Sequence, residues 1–93
     1  MRNIELNKVR NKIDKLDKKL LVLIKKRTDL VKKVIKLKKF KKQIVDRNRI
    51  KKVLKNIKKN SIKKKVDPKL TVKIWNSMIK SYIEFEKRNF KRK

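Results

Sequence analysis

The chain has 93 residues, and its 35 Lys and Arg against 8 Asp and Glu give a formal net charge of +27. It contains neither Cys nor His, which excludes disulfides and argues against a transition-metal site. No run approaches the ~18 apolar residues of a membrane span, and the amino terminus lacks the apolar block of a signal peptide. We therefore expect a single domain spanning residues 1–93, located in the cytoplasm and without a membrane partner.

So high a charge is typical of proteins that bind nucleic acid or anionic membranes. However, Lys outnumbers Arg by 28 to 7, Gly and Ala are absent, and Ile and Asn are plentiful, as AT-rich codons would produce. The lysines also spread over nearly every polar helix position, and few aromatic side chains interleave with them. We expect weak, nonspecific nucleic-acid binding at low salt and no specific nucleic-acid partner. A non-catalytic basic helical protein that binds nucleic acid is kept as an alternative.

The first predicted element is one long helix from Ile4 to Phe40. Its apolar residues recur every three or four positions, the period of a helix with one buried stripe. At 1.5 Å per residue such a helix is about 55 Å long, which exceeds the width of so small a domain. One chain cannot cover this surface, so we expect a homodimer with packed long helices. The stripe consists of Leu6, Val9, Ile13, Leu16, Leu20, Leu23, Leu30, Val34 and Leu37.

A cation interrupts this stripe, because Arg27 occupies a position that is due an apolar residue. At ~100° per residue, Lys38 returns to within about 20° of Arg27, whereas Arg10 points roughly 100° away from both. A buried Arg needs an anionic partner. That partner is either an acid on another helix or an anionic ligand.

The second predicted helix runs from Arg47 to Asn60, with Asp46 as its N-cap. Its first turn carries Arg49, beside a stripe with helical spacing. A basic connector from Ser61 to Val66 follows. The apolar stripe of this helix consists of Ile50, Val53, Leu54 and Ile57.

The third predicted helix begins at Asp67-Pro68, because Asp is a good cap and Pro costs little at the first helical position. It ends near Phe90. Its inner stripe continues at the next step of four to Glu86, a carboxylate among inward cations. We expect Glu86 to pair with Arg27 or with Lys38, which would join helices 1 and 3. The apolar part of the stripe is Trp75, Met78, Ile79, Tyr82 and Ile83.

In order and spacing, these features resemble the all-helical (type II) chorismate mutase family. The resemblance extends from about Leu6 to Phe90, nearly the whole chain, although no single motif in it is specific. The matching segments are residues 9–17 (VRNKIDKLD), residues 20–27 (LLVLIKKR), Lys38, residues 46–49 (DRNR), residues 66–68 (VDP) and residues 74–86.

The resemblance implies an all-α fold of three helices per chain, in an intertwined homodimer whose active sites are built from both subunits. Its substrate is chorismate, a dianion that is rearranged to prephenate without a cofactor. The family pattern assigns the substrate carboxylates to Arg27 and Arg49 of one chain and to Arg10 of the partner subunit. It assigns the ether oxygen of the substrate to Lys38 and the ring hydroxyl to Asp46. It also makes three residues catalytic, namely Arg27, Lys38 and Glu86, which is the last functional position of helix 3.

Three positions depart from the family pattern. Ile50 stands where a Glu is usual, Glu86 where a Gln donates to the ether oxygen, and Tyr82 where a small polar residue is usual. An aliphatic residue after Arg49 and a Tyr on helix 3 resemble the isochorismate-pyruvate lyases, which form salicylate on this fold. That activity is the second alternative. A Glu at position 86 donates only while protonated, which predicts an acid-shifted pH optimum if the chain is a mutase.

Overall fold

The computed structural model describes residues 2–91, and within that range every regular element is helical. The prediction of an all-α fold with three helices and one very long N-terminal helix is confirmed. None of these helices has an apolar stretch long enough to cross a membrane. The elements are α1 (Arg2–Leu37), a 3₁₀ turn (Lys41–Ile44), α2 (Arg47–Lys63) and α3 (Pro68–Asn89).

Helix α1 ends earlier than predicted, at Leu37 instead of Phe40. The backbone N–H groups of Lys39 and Phe40 both donate to Oε1 of Gln43, each at 2.8 Å. Since this side chain replaces the helical carbonyls as acceptor, the backbone at Phe40 becomes extended, with φ −124° and ψ 140°. The predicted end at Phe40 was therefore wrong, because periodicity does not reveal a side-chain acceptor beyond the helix.

Helix α2 continues past the predicted Asn60 to Lys63. Its end is closed by Lys65, which adopts a left-handed backbone with φ 58°, and by a bond from the Val66 N–H to the Ser61 carbonyl at 2.9 Å. A left-handed residue is usually Gly, but this chain contains none. A side chain at such a position costs about 1–2 kcal/mol. The caps of α2 and α3 are as predicted, since Asp46 accepts from Arg49 N–H and Asp67 accepts from Lys69 N–H.

The chain divides within α1, between Lys33 and Val34, into an N-terminal unit and a C-terminal unit. The N-terminal unit is a helical segment whose apolar stripe is largely in contact with water. An apolar helix face left in water contributes little to stability, since the hydrophobic effect acts only on surface that is removed from water. The exposed fractions are 46% for Leu6, 54% for Val9, 50% for Ile13, 58% for Leu16, 55% for Leu20 and 58% for Leu23.

The C-terminal unit is built on the packing of α2 against α3. The predicted stripes of both helices are half-buried, and Ile35 and Ile44 are buried. A buried pair of hydroxyls joins the helices: Ser61 Oγ lies 2.6 Å from Thr71 Oγ1, and Ser61 also donates to the Ile57 carbonyl. The packing of α2 against α3 thus fixes the position of α3, which carries Glu86.

Candidate active site

Lys38 occupies the first position after α1, yet its backbone keeps the helical direction. Its N–H donates to the carbonyls of Val34 and Ile35, both at 3.2 Å. Its side chain is 19% exposed, and Nζ lies 3.2 Å from Glu86 Oε1 and 3.5 Å from the Ile44 carbonyl oxygen. An ammonium has three N–H groups, so an oxygen of a ligand can bind beside these two acceptors.

Glu86 on α3 is the acid that the sequence placed on the inner face, and it is buried, with a side chain 10% exposed. Of the two cations that the sequence left open as its partner, the structure pairs it with Lys38. This contact joins the end of α1 to α3, as predicted. Removing either side chain of a buried pair would destabilise the fold, because the other charge would be left buried without a partner.

The 3₁₀ turn holds Lys38 in place through a residue that the sequence analysis did not single out. Gln43 Oε1 accepts two backbone N–H groups, those of Lys39 and Phe40, directly after Lys38. The next residue, Ile44, is buried with 3% exposed, and its carbonyl accepts from Lys38 Nζ. A signal existed in the sequence, since a Gln three residues into a turn is a common acceptor for the N–H groups at its start.

A cleft of about 460 Å³ lies beside Lys38 and brings two of the predicted site residues to one surface. Those two are Lys38 and Asp46. Asp46 caps α2 through Oδ1, which accepts from the Arg49 N–H at 3.0 Å, and a carboxylate keeps further acceptor capacity on its other oxygen. The cleft therefore offers a cation and an anion to a ligand that carries both an acceptor and a hydroxyl. It is lined by Lys38, Gln43, Val45, Asp46, Arg47 and Asn48.

Four further residues that the sequence predicted for the site belong to the C-terminal unit. In the described chain, the lining of the cleft does not include Arg49, Ile50, Tyr82 or Glu86. Arg49 is exposed on the first turn of α2, and Ile50 beside it is half-buried. Tyr82 is half-buried one turn before Glu86, and its ring meets Phe85 edge to face at 6.2 Å and 84°.

The N-terminal unit carries the two remaining arginines that the sequence predicted for the site, Arg10 and Arg27. Arg10 is exposed, and Arg27 is half-buried although Leu23 and Leu30 on either side of it are 58% and 60% exposed. The polar face of the same helix holds an exposed ion pair. There Lys25 donates to Asp29 at 2.7 Å, and this hydrogen bond lowers the pKa of the Asp29 carboxyl.

Taken together, Lys38 in the C-terminal unit is a shielded ammonium with spare donor capacity. The buried carboxyl of Glu86 contacts it, and the carboxylate of Asp46 lines the same cleft as Lys38. A shielded ammonium that can still donate to an oxygen of a ligand is suited to binding that oxygen and to stabilising negative charge on it.

Comparison with known proteins identifies the family of the chain. The family model described as chorismate mutase type II matches residues 9–87. No curated protein and no solved structure matches the chain. The matched range covers most of the chain and includes Arg10, Arg27, Lys38 and Glu86. The chain therefore belongs to the type II chorismate mutase family.

Proposed function

We propose that this chain is a cytoplasmic chorismate mutase, a single domain over residues 1–93 that acts as a homodimer and needs no cofactor. The observation that carries the proposal is the position of Lys38. Its ammonium is shielded, fixed between Glu86 and the Ile44 carbonyl, and open to a cleft, inside a range that matches the family.

The proposed reaction does not require acid–base catalysis. In the Claisen rearrangement of chorismate to prephenate, the ether C–O bond breaks as a new C–C bond forms, and no proton is transferred. Catalysis then rests on holding the dianion in its reactive shape and on stabilising the charge that grows on the ether oxygen. Lys38 is the proposed donor to that oxygen, because its cation is already oriented before the reaction begins.

Glu86 is the second proposed catalytic residue at the ether oxygen. Its Oε1 lies 3.2 Å from Lys38 Nζ, so an oxygen that binds Lys38 comes close to the Glu86 carboxyl as well. A protonated carboxyl can donate there, whereas a carboxylate opposes the developing negative charge. We therefore propose that the protonated form of Glu86 is the active one.

The proposed substrate contacts follow the family resemblance. Arg27 and Arg49, with Arg10 of the partner subunit, bind the two carboxylates, since an Arg fork matches a carboxylate in geometry and charge. The exposure of Arg10 and Arg49 supports these roles, because neither guanidinium is enclosed within its own chain. Asp46 is proposed to accept from the ring hydroxyl, with Ile50 and Tyr82 as the apolar and aromatic neighbours of the ring.

The homodimer is proposed from the apolar stripe of the N-terminal unit. Its leucines, valine and isoleucine are about half exposed along several turns of α1. Scattered exposed apolar residues are ordinary, but a continuous stripe marks an interface. A second copy of the same helix offers the complementary surface, as two-fold packing requires.

One other activity on the same fold is supported by specific residues. The half-buried Ile50 and Tyr82 resemble the pattern of isochorismate-pyruvate lyases, and isochorismate carries its hydroxyl elsewhere on the ring. Purified protein incubated separately with chorismate and isochorismate distinguishes the two. Prephenate from chorismate supports the mutase, whereas salicylate and pyruvate from isochorismate, without prephenate from chorismate, would replace it with the lyase. No product from either substrate would reject both activities.

A further inference from the structure

A second cleft of about 420 Å³ lies in the C-terminal unit, lined by Lys39, Phe40, Lys41 and Phe90. In the described chain it shares no lining residue with the cleft beside Lys38. Two of its four residues are aromatic and two are cations. The proposed mutase reaction uses none of them, so the composition of this cleft needs a separate explanation.

The two rings of this aromatic–basic cleft come from opposite ends of the C-terminal unit. Phe40 belongs to the connection after α1, and Phe90 is the C-cap of α3. The sequence alone shows lysines with few aromatics between them, but the fold brings these two rings to one surface. Phe40 is 60% exposed, so the face of a large apolar ring is available to a ligand.

Cations surround these rings. Lys42 Nζ lies 5.7 Å from the centroid of the Phe40 ring, and the exposed Lys39 and Lys41 line the cleft itself. The segment before Phe90 adds the exposed Arg88. Among the described residues that line the cleft there is no acid, so none of them offsets the positive charge of the lysines.

An aromatic face flanked by lysines is the combination with which proteins bind single-stranded nucleic acid, because bases stack on the ring and phosphates contact the cations. A duplex cannot use such a ring, since its bases already stack on each other, and it would sense the charge alone.

We propose that the aromatic–basic cleft binds a base of single-stranded nucleic acid without sequence preference. Phe40 and Phe90 contact the base, and Lys39, Lys41 and Lys42 neutralise the adjacent phosphates. The net charge of +27 then attracts the strand from a distance, and the cleft supplies the preference for a single strand. This second activity is independent of the proposed mutase reaction.

The test measures binding of a fluorescently labelled 12-nucleotide oligothymidylate and a labelled 12-base-pair duplex by anisotropy at several salt concentrations. Phe40→Leu and Phe90→Leu keep an apolar side chain but remove the stacking face. Each variant should lose about fivefold or more in affinity for the single strand, the lower end of one base–ring stack. Its affinity for the duplex and its salt dependence should stay unchanged, because no charge is altered.

The matched control removes charge in place of a ring. Lys55→Gln, at an exposed position of α2, should lower the affinity for the single strand and for the duplex equally. Lys41→Gln changes an exposed side chain that lines the cleft, and it should weaken single-strand binding more than Lys55→Gln does. Two outcomes would overturn the proposal and leave charge alone as the cause of binding. In the first, the two Lys variants have equal effects. In the second, the Leu variants show normal helical circular dichroism and bind the single strand as tightly as the parent does.

Discussion

Nζ of Lys38 and Oε1 of Glu86 lie 3.2 Å apart, although 48 residues separate them in the chain. Both side chains are mostly shielded, at 19% and 10% exposed, so water screens their attraction little. The contact ties the end of α1 to α3 and orients the ammonium that we propose as the donor to the ether oxygen. Structure and proposed chemistry thus depend on the same pair.

Removing the proposed cations should abolish most of the activity. Arg27→Ala and Lys38→Ala should each cost roughly 3 kcal/mol or more of transition-state stabilisation, the scale of a lost charged donor in an active site. That loss lowers kcat/KM on the order of 150-fold. Lys55→Ala is the matched control, since Lys55 is an exposed cation on α2 and its loss should cost almost nothing. Steady-state kinetics with chorismate provides the measurement. Similar activity in all three variants would exclude the proposed roles of Arg27 and Lys38.

Gln43 should act as a positioning residue for Lys38. Gln43→Ala removes the acceptor of two N–H groups at 2.8 Å, so the turn loosens and Lys38 loses its fixed orientation. We expect kcat to fall about tenfold with a smaller change in KM, because orientation matters most in the transition state. Gln43→Glu keeps an acceptor oxygen and should restore most of kcat. A loss that appears only in thermal stability, with kcat intact, would reduce Gln43 to a structural role.

The sequence predicted the periodic parts of this molecule well and the irregular parts poorly. Stripes with helical spacing and the Asp46 and Asp67 caps are local features, so three helices and two of their starts could be predicted. The inward position of Glu86 also followed from spacing. The choice of Lys38 over Arg27 as its partner could not, because it depends on where α1 stops. That end is set by Gln43, a side chain outside the periodic pattern.

The exposed stripe of α1 predicts a dimer that does not separate without unfolding. Leu20→Glu should disrupt it, because it puts a charge on a stripe position that is 55% exposed in one chain and covered in the proposed dimer. Lys19→Glu makes the same acid on the neighbouring position off the stripe and should leave the dimer intact. Sedimentation velocity and circular dichroism at micromolar concentration provide the measurement. A folded monomer of the parent chain at that concentration would contradict the proposed assembly.

Glu86 predicts an unusual pH dependence if it serves as donor to the ether oxygen. A Gln amide donates a hydrogen bond at any ordinary pH, but a carboxyl donates only while it holds its proton. In its ionised state the carboxyl of Glu86 would place negative charge beside an oxygen that is itself becoming negative. If the protonated form is the active one, kcat/KM should fall with rising pH, which gives an acid-shifted optimum.

Glu86→Gln should flatten this profile and raise kcat/KM near neutral pH, because the amide both donates to the ether oxygen and accepts from Lys38. Glu86→Ala is the matched control. Glu86→Ala removes the negative charge without supplying a donor. If the gain came only from removing the repulsion between the carboxylate and the ether oxygen, Glu86→Ala and Glu86→Gln would have similar kcat/KM. Measurement of kcat/KM from about pH 5 to pH 8 separates these cases. A parent enzyme equally active throughout, with Glu86→Gln no better at the upper end, would show that Glu86 does not contact the ether oxygen. Its contact with Lys38 would then serve only to hold the segment after α1 against α3.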